Sequence, residues 1–87
     1  MIARSKDALR VVVLSPKGVV WEGKALSVAS ANSQGPFDLL PQHAHFISLI
    51  QNEKINVLTE NGIKAFQYKN AVIRVIDDTV TIFSDMA

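Results

Sequence analysis

Apolar positions recur along this chain in short runs, and polar turn residues separate the runs. Residues 9–14 form a β-branched run, and residues 55–59 alternate between apolar and polar with a period of two. No window of about eleven residues or more shows helical spacing. Turns recur roughly every eight to twelve residues, a spacing typical of sandwiches and barrels. The pattern therefore predicts an all-β protein.

Two turns in this pattern predict hairpins. Asn61–Gly62 lies between two strand runs, and both residue types tolerate positive φ, so the pair predicts a type I′ turn. A second hairpin is predicted about Asp77–Asp78, between the runs 72–76 and 80–83. The strand that follows Gly62 would place Phe66 and Tyr68 on one face, because they are two residues apart.

Residues 33–46 interrupt the strand pattern. The segment contains Pro36 and Pro41 and both histidines, His43 and His45. Proline has no backbone N–H and does not suit a central strand. Between the prolines lies the apolar segment 37–40, so we expect a stiff loop that presents a shaped surface rather than a flexible linker.

Length and charge restrict the class of protein. A chain of 87 residues predicts one domain, which we assign to residues 9–87 after a flexible lead-in at residues 1–8. The net charge of +1 gives no electrostatic reason to expect binding to nucleic acid or to an anionic membrane surface. The chain lacks cysteine, which excludes disulfides and thiolate metal sites. We expect a soluble, cytoplasmic domain.

Chemistry-bearing side chains are few. His43 and His45 could share a metal with Asp38, but ordinary loop hydrogen bonds suit them better. Ser33 or Ser48 could act as a nucleophile with His43 and Asp38 as its catalytic partners, but the sequence contains no G-x-S-x-G nucleophile elbow. The glycines are isolated and form no phosphate loop. We therefore expect no catalytic residue, no metal, no cofactor and no small-molecule substrate.

The large aromatic side chains allow two interpretations. Trp21, Phe66 and Tyr68 could be exposed binding residues, because these types dominate interface energies, or they could pack in the core. Phe37 also allows two interpretations: it could be an apolar anchor for a partner, or it could fill the end of the core. The cations Arg10 and Arg74 belong to solvated strand faces or to the rim of an interface.

Four segments of the chain, taken in order, resemble one known family. Leu9–Gly18 (LRVVVLSPKG) is similar to the family's opening L-x-V-x-I-V-S-P-E-G, and Trp21–Gly23 to its F-x-G. Gly35–Phe46 (GPFDLLPQHAHF) resembles G-E-F-G-I-L-P-G-H-A-P, and Val75–Asp85 resembles the closing E-V-x-x-x-x-V-T-V-L-A-D. The family is that of the epsilon subunit of F-type ATP synthases, whose mitochondrial counterpart is called delta.

The resemblance implies a fold, a role and a set of interface residues. The fold would be a two-sheet sandwich of about ten short, mostly antiparallel strands. The role would be non-catalytic, as a rotor subunit that couples the c-ring to the gamma subunit on the cytoplasmic side of an energy-transducing membrane. The residues expected to face the c-ring are the loop residues Gln34, Gly35, Pro36, Phe37 and Asp38, together with His43. No motif assigns the gamma side, for which small and apolar outward positions and parts of the last hairpin are candidates.

The chain also departs from the family's pattern. Pro36 stands where an acidic residue is usual, and Asp38 and Gln42 stand where glycine is usual. The helical hairpin of the usual epsilon subunit is not encoded in these 87 residues, so we expect a short form, natural or trimmed, without that hairpin's brake on ATP hydrolysis. The alternative is a free-standing β-sandwich module that binds and regulates the synthase.

Overall fold

The computed structural model describes residues 8–42 and 45–85, and the regular elements of that part of the chain are all β-strands. The strands are β1 (Leu9–Ser15), β2 (Gly18–Ala25), β3 (Ser27–Asn32), β4 (Gly35–Leu39), β5 (Phe46–Gln51), β6 (Lys54–Thr59), β7 (Gly62–Gln67), β8 (Asn70–Ile76) and β9 (Thr79–Ser84). The all-β prediction is confirmed, with nine strands where about ten were expected. Of the expected lead-in, residues 1–7 lie outside the described residues.

The strands form two sheets, as the resemblance implied. The five-stranded sheet has the order β2-β1-β9-β8-β5, and the four-stranded sheet has the order β4-β3-β6-β7. Among the described strands, β1 and β9 pair in parallel, while the remaining ladders are antiparallel. In the described residues, no helix is long and apolar enough to cross a membrane.

The core lies between the sheets and follows the period of two. Alternate residues of β1, β8 and β9 point inward and are buried, because neighbouring side chains of a strand point to opposite faces. The single buried polar residue among those described, Ser84, donates its hydroxyl to the carbonyl of Leu14 at 2.8 Å. The largest fully buried side chains are Leu9, Leu39, Ile50, Ile55, Ile73 and Ile82, with several valines.

The sandwich has two ends that differ in their turns. The Gln34 end is defined by the turns at residues 16–17 and 33–34. The Asp78 end is defined by the turns at residues 60–61 and 77–78. The chain passes from the four-stranded to the five-stranded sheet between Leu39 and Phe46, and both of these residues lie at the Asp78 end, where β4 finishes and β5 begins.

The two predicted hairpins exist, but the turn type was assigned to the wrong one. Thr59 pairs with Gly62, so Glu60 and Asn61 are the central turn residues, and neither has a positive φ. The prediction of a type I′ turn at Asn61–Gly62 is therefore wrong. Asp77 and Asp78 instead have φ values of 50° and 61°, as a type I′ turn requires. Aspartate tolerates this region because its short side chain hydrogen-bonds locally.

The predicted loop at residues 34–38 also needs correction. Gly35–Leu39 is strand β4, which pairs with β3, and only residues 33–34 form a turn. Pro36 is accommodated because β4 is an edge strand of its sheet, where one side of the backbone needs no ladder partner. The proline excludes a central strand, as expected, but it does not exclude an edge strand.

Candidate functional site

The five described residues of the set predicted to face the c-ring do not form one loop. Gln34 and Gly35 lie at the Gln34 end, where β4 begins. Leu39 ends the strand at the opposite end, about 13 Å away at the usual rise of a strand. His43 lies outside the described residues, although its neighbour Gln42 belongs to the Asp78 end. The structure therefore distributes the five described residues of the set from the turn before β4 to near the far end of this edge strand.

Alternation along β4 divides the predicted residues between two environments. Pro36 and Asp38 are exposed on the outer face of the four-stranded sheet, opposite Ala31 and Ala29 of β3. The acidic side chain that the family places at position 36 thus stays on the same face when it occurs at position 38. Phe37 points inward and packs partly buried against the core.

Phe37 contacts a second aromatic ring at the edge of the core. Its ring centroid lies 5.2 Å from that of Phe46, with an interplanar angle of 52°. This separation and tilt are typical of a favourable aromatic pair. Of the two interpretations of Phe37, the structure favours a plug at the edge of the sandwich over a freely exposed anchor.

Phe37→Ala is expected to lower the melting temperature of the chain by about 5–15 °C. The substitution removes a partly buried ring, and a loss of about 1–3 kcal/mol in a domain of this size corresponds to that shift. The measurement is thermal unfolding followed by circular dichroism. Leu40→Ala is the control, because Leu40 is 55% exposed and should shift the melting temperature little. An unchanged melting temperature combined with weaker c-ring binding would assign Phe37 to the docking surface.

Among the residues that the structure describes, neither candidate nucleophile is grouped with Asp38, while His43 lies outside them. Ser33 is in the turn at the Gln34 end, whereas Asp38 lies on the outer face of the four-stranded sheet. Ser48 is on the other sheet, where its hydroxyl accepts a hydrogen bond from the Asn32 amide at 2.9 Å. Within residues 8–42 and 45–85 no three His, Cys, Asp or Glu side chains are grouped to hold a metal ion.

The aromatic residues with two interpretations are half-buried. Phe66 lies 6.2 Å from Trp21 and 6.5 Å from Tyr68 between ring centroids, and all three pack against the core. Phe66 and Tyr68 share a face, as predicted. The Lys64 ammonium lies 5.9 Å from the centre of a Trp21 ring. These rings therefore serve mainly as core packing and leave one side to solvent.

The outer face of the five-stranded sheet is apolar at the Gln34 end, which sequence reasoning missed. Register places one apolar side chain from each strand side by side. We call this row the apolar row; its members, in strand order, are Val19, Leu14, Phe83, Val72 and Leu49. Val19 and Leu49 at its two ends are 61% and 54% exposed. Ile47 extends the same face and is 69% exposed.

Charged side chains lie beside the apolar row. The Arg74 guanidinium lies 5.2 Å from the centre of the Phe83 ring, a cation–π contact on the outer face. Further along the sheet, Arg10 forms an ion pair with Glu22 on the neighbouring strand. The arrangement is an apolar strip with a polar rim, which is typical of a surface that binds another protein.

A feature of the sequence could have revealed this face. The run Val11–Leu14 and the segment Phe46–Ile50 contain apolar residues on both sides of their strands. A sandwich strand with a solvated outer face alternates between apolar and polar residues. The lack of alternation in β1 therefore indicates a second apolar face, beyond the one turned to the core.

The candidate gamma positions named from the sequence lie on two opposite faces. The small residues Ala29 and Ala31 lie on the outer side of the four-stranded sheet, while Val72 and Phe83 of the last hairpin belong to the apolar row. A single partner could not cover both faces without wrapping around the sandwich. The structure thus separates two surfaces that the sequence grouped together.

The chain matches a known family along nearly its whole length. Residues 8–87 match the family model described as "ATP synthase, Delta/Epsilon chain, beta-sandwich domain". The ATP synthase epsilon chain of Vesicomyosocius okutanii is 29% identical over 81 residues, which cover 93% of this chain and 59% of that protein. The epsilon chain of Acinetobacter baumannii is 32% identical over 76 residues, covering 86% and 55% respectively. The chain thus spans less than two thirds of the length of these relatives.

Solved structures show the same fold at low sequence identity. A chain of the Euglena gracilis mitochondrial ATP synthase, solved as OSCP, F1 and c-ring, superposes with a TM-score of 0.82 at 11% identity, covering 97% of this chain and 54% of that one. A chain of the central stalk and c-ring of the Tetrahymena thermophila enzyme superposes with a TM-score of 0.68 at 12% identity, covering 87% and 62%. Together with the family match, the nine-stranded sandwich shows that this chain belongs to the β-sandwich domain family of the ATP synthase delta and epsilon chains.

Proposed function

We propose that this chain is the sandwich domain of a central-stalk subunit in an F-type ATP synthase. It is not an enzyme by itself, and it couples the c-ring to the gamma subunit at the cytoplasmic side of an energy-transducing membrane. The observation that carries the proposal is the apolar row, an outward-facing strip across all five strands of one sheet that is exposed at its two ends and half-buried in its middle. Membership in the delta and epsilon family supports the choice of partners.

The gamma subunit is assigned to the outer face of the five-stranded sheet. An outward-facing apolar strip with a polar rim suits a permanent protein partner, because burying apolar area supplies most of the free energy of such interfaces. The loops of a c-ring are polar and would gain little from Val19 or Leu49. The edge strand β4 suits the ring better, because the polar turn residue Gln34 precedes it and the exposed Asp38 lies near its other end.

A β-sandwich is mechanically suited to this position. Its ladders and close-packed interior resist deformation, so torque applied at one end reaches the other with little internal slip. The two proposed contacts lie on different sheets, the gamma contact on the outer face of the five-stranded sheet and the ring contact along the edge strand β4. A stiff body between two separate contacts is what transmission of torque requires.

The proposal is tested by recovering the chain's partners from its native membranes. The tagged chain is expected to retain gamma and c subunits through purification, identified by mass spectrometry. A chain that carries Leu49→Asp, and so has a charge in the apolar row, is the matched control and should lose gamma. Recovery of neither subunit would overturn the stalk assignment. Recovery of the whole synthase only in substoichiometric amounts would favour a transient regulator.

Asp38→Asn is expected to weaken c-ring binding by a small, salt-dependent amount. Asp38 is exposed, and an exposed ion pair with a basic ring loop contributes about 0.2–1 kcal/mol. The effect should be larger at low salt, because the Debye length is only about 10 Å at 0.1 M salt and becomes longer as the salt concentration falls. The measurement is the affinity for purified c-ring across a series of salt concentrations. Asp77→Asn is the control, because Asp77 is also an exposed aspartate but lies in the β8–β9 turn of the other sheet. Equal effects of both substitutions would contradict the assignment of Asp38.

A further inference from the structure

Asp78 joins three segments that are distant in the sequence. Its carboxylate Oδ1 accepts a hydrogen bond from the backbone N–H of Gln42 at 2.7 Å. Its backbone carbonyl accepts a second hydrogen bond from the N–H of Arg10 at 2.9 Å. One residue in the β8–β9 turn therefore holds both the start of β1 and the segment that crosses between the sheets.

The backbone at both partners lies in a region that side chains disfavour. Gln42 has a φ of 68° and Asp78 a φ of 61°. Glutamine has no local side-chain reason to adopt this conformation, unlike asparagine or aspartate. A hydrogen bond from its N–H to a carboxylate is stronger than one to a neutral acceptor and offsets the cost. The Asp78 carboxylate is thus well placed to hold Gln42 in its turn.

Gln42 precedes the edge strand β5 by four residues in the sequence. This strand bonds on one side to β8, and the first pair of that ladder is Phe46 with Val75. The Asp78 turn follows β8 immediately after Ile76, so the contact with Gln42 lies just beyond this first pair. A hydrogen bond at this point limits how far the beginning of β5 can move away from β8.

We propose that Asp78 is a positioning residue for the gamma-binding face. By holding Gln42, it fixes the entry to β5 and thereby the placement of Ile47 and Leu49, the exposed side chains at one edge of that face. This role rests on the proposed function, because it presupposes that the outer face of the five-stranded sheet binds gamma. The hydrogen bond and its local effect do not depend on the partner.

Asp78→Gly is the decisive variant. Glycine accepts the positive φ and keeps the carbonyl that binds Arg10, so the substitution removes only the carboxylate. Asp77→Gly is the matched control, since Asp77 is the other central residue of the same turn with a φ of 50°. Asp78→Asn retains a side-chain oxygen that can accept the bond and should restore much of the wild-type behaviour.

The first measurement is the solvent-exchange rate of the Gln42 amide proton by NMR. It should rise about ten- to a hundredfold in Asp78→Gly, as expected for loss of a bond to a charged group, and stay near the wild-type rate in Asp77→Gly. Amides of the buried β8 strand report global stability in the same sample. An equal rise in Asp77→Gly, or a rise at Gln42 no larger than that of the β8 amides, would overturn the proposed hydrogen bond.

The second measurement is affinity for the purified gamma subunit. Asp78→Gly should weaken binding about three- to tenfold, whereas Asp77→Gly and Asp78→Asn should bind close to the wild type. Unchanged gamma affinity in Asp78→Gly, despite faster Gln42 exchange, would overturn the positioning role. If the wild-type chain does not bind gamma, the proposed function fails, and the positioning role fails with it. In that case the exchange rates of the Gln42 amide test only whether its hydrogen bond to Asp78 exists.

Discussion

Replacing Ile73 with alanine is expected to lower the melting temperature of this chain by about 10–30 °C. Ile73 is fully buried in β8, where it pairs with Ser48 on one side and Ile82 on the other. Truncating a buried isoleucine to alanine costs about 2–5 kcal/mol, the sum of lost burial and the cavity left behind. In a small domain each kcal/mol shifts the melting temperature by about 4–8 °C.

The size of this effect follows from the thin stability margin of a short chain. At typical values per residue, 87 residues give an unfolding free energy of roughly 4–13 kcal/mol, so one core cavity removes a large fraction. Ile47→Ala is the matched control, because it makes the same truncation on the neighbouring strand at a side chain that is 69% exposed. Similar shifts for both variants would show that β8 does not form the centre of the core.

Leu49→Asp is expected to weaken binding to the gamma subunit about a hundredfold or more. Leu49 ends the apolar row and is 54% exposed in the isolated chain. At the proposed interface a carboxylate would lose its hydration without gaining a partner, and a cost near 3 kcal/mol corresponds to that factor. Folding should be largely retained, because the side chain points away from the core. The measurement is calorimetric titration of the chain with purified gamma.

Ile63→Asp provides the control for this prediction. Ile63 is 65% exposed and lies on the outer side of the four-stranded sheet, so the same charge is introduced on the opposite face. Its gamma affinity should stay close to that of the wild type. A larger loss for Ile63→Asp than for Leu49→Asp would place gamma on the four-stranded sheet and contradict the assignment of the apolar row.

Much of the fold could be predicted because its signals are local. Alternation in β6 and turn residues such as Asp77–Asp78 are properties of a few neighbouring side chains. Local sequence also excluded long helices and grouped Phe66 with Tyr68. The turn type at Asn61–Gly62 was missed because which residues occupy the two central positions depends on strand register, which pairs Thr59 with Gly62.

The candidate site could be predicted only in part. The segment 33–46 was identified from its prolines and histidines, but its division between two ends depends on β4 running along the edge of a sheet. Phe37 was left open because burial of one side chain on an edge strand depends on what packs beneath it. Its contact with Phe46 arises when the chain crosses to the other sheet.

Taken by itself, the amino-acid sequence determined the all-β class, most strand positions and the family to which the chain belongs. Each rests on short-range periodicity, turn chemistry or motifs, none of which requires knowledge of distant contacts. Only the tertiary structure decided the apolar row, the edge position of Pro36 and the hydrogen bond from Gln42 to Asp78. The parallel pairing of β1 with β9 brings Leu14 beside Phe83, and Asp78 holds a segment 36 residues earlier in the chain. The lack of alternation in β1 indicates that a second apolar face exists, but which side chains become neighbours on it is set by strand order and register. Strand order and register arise from burying two sheets against one another.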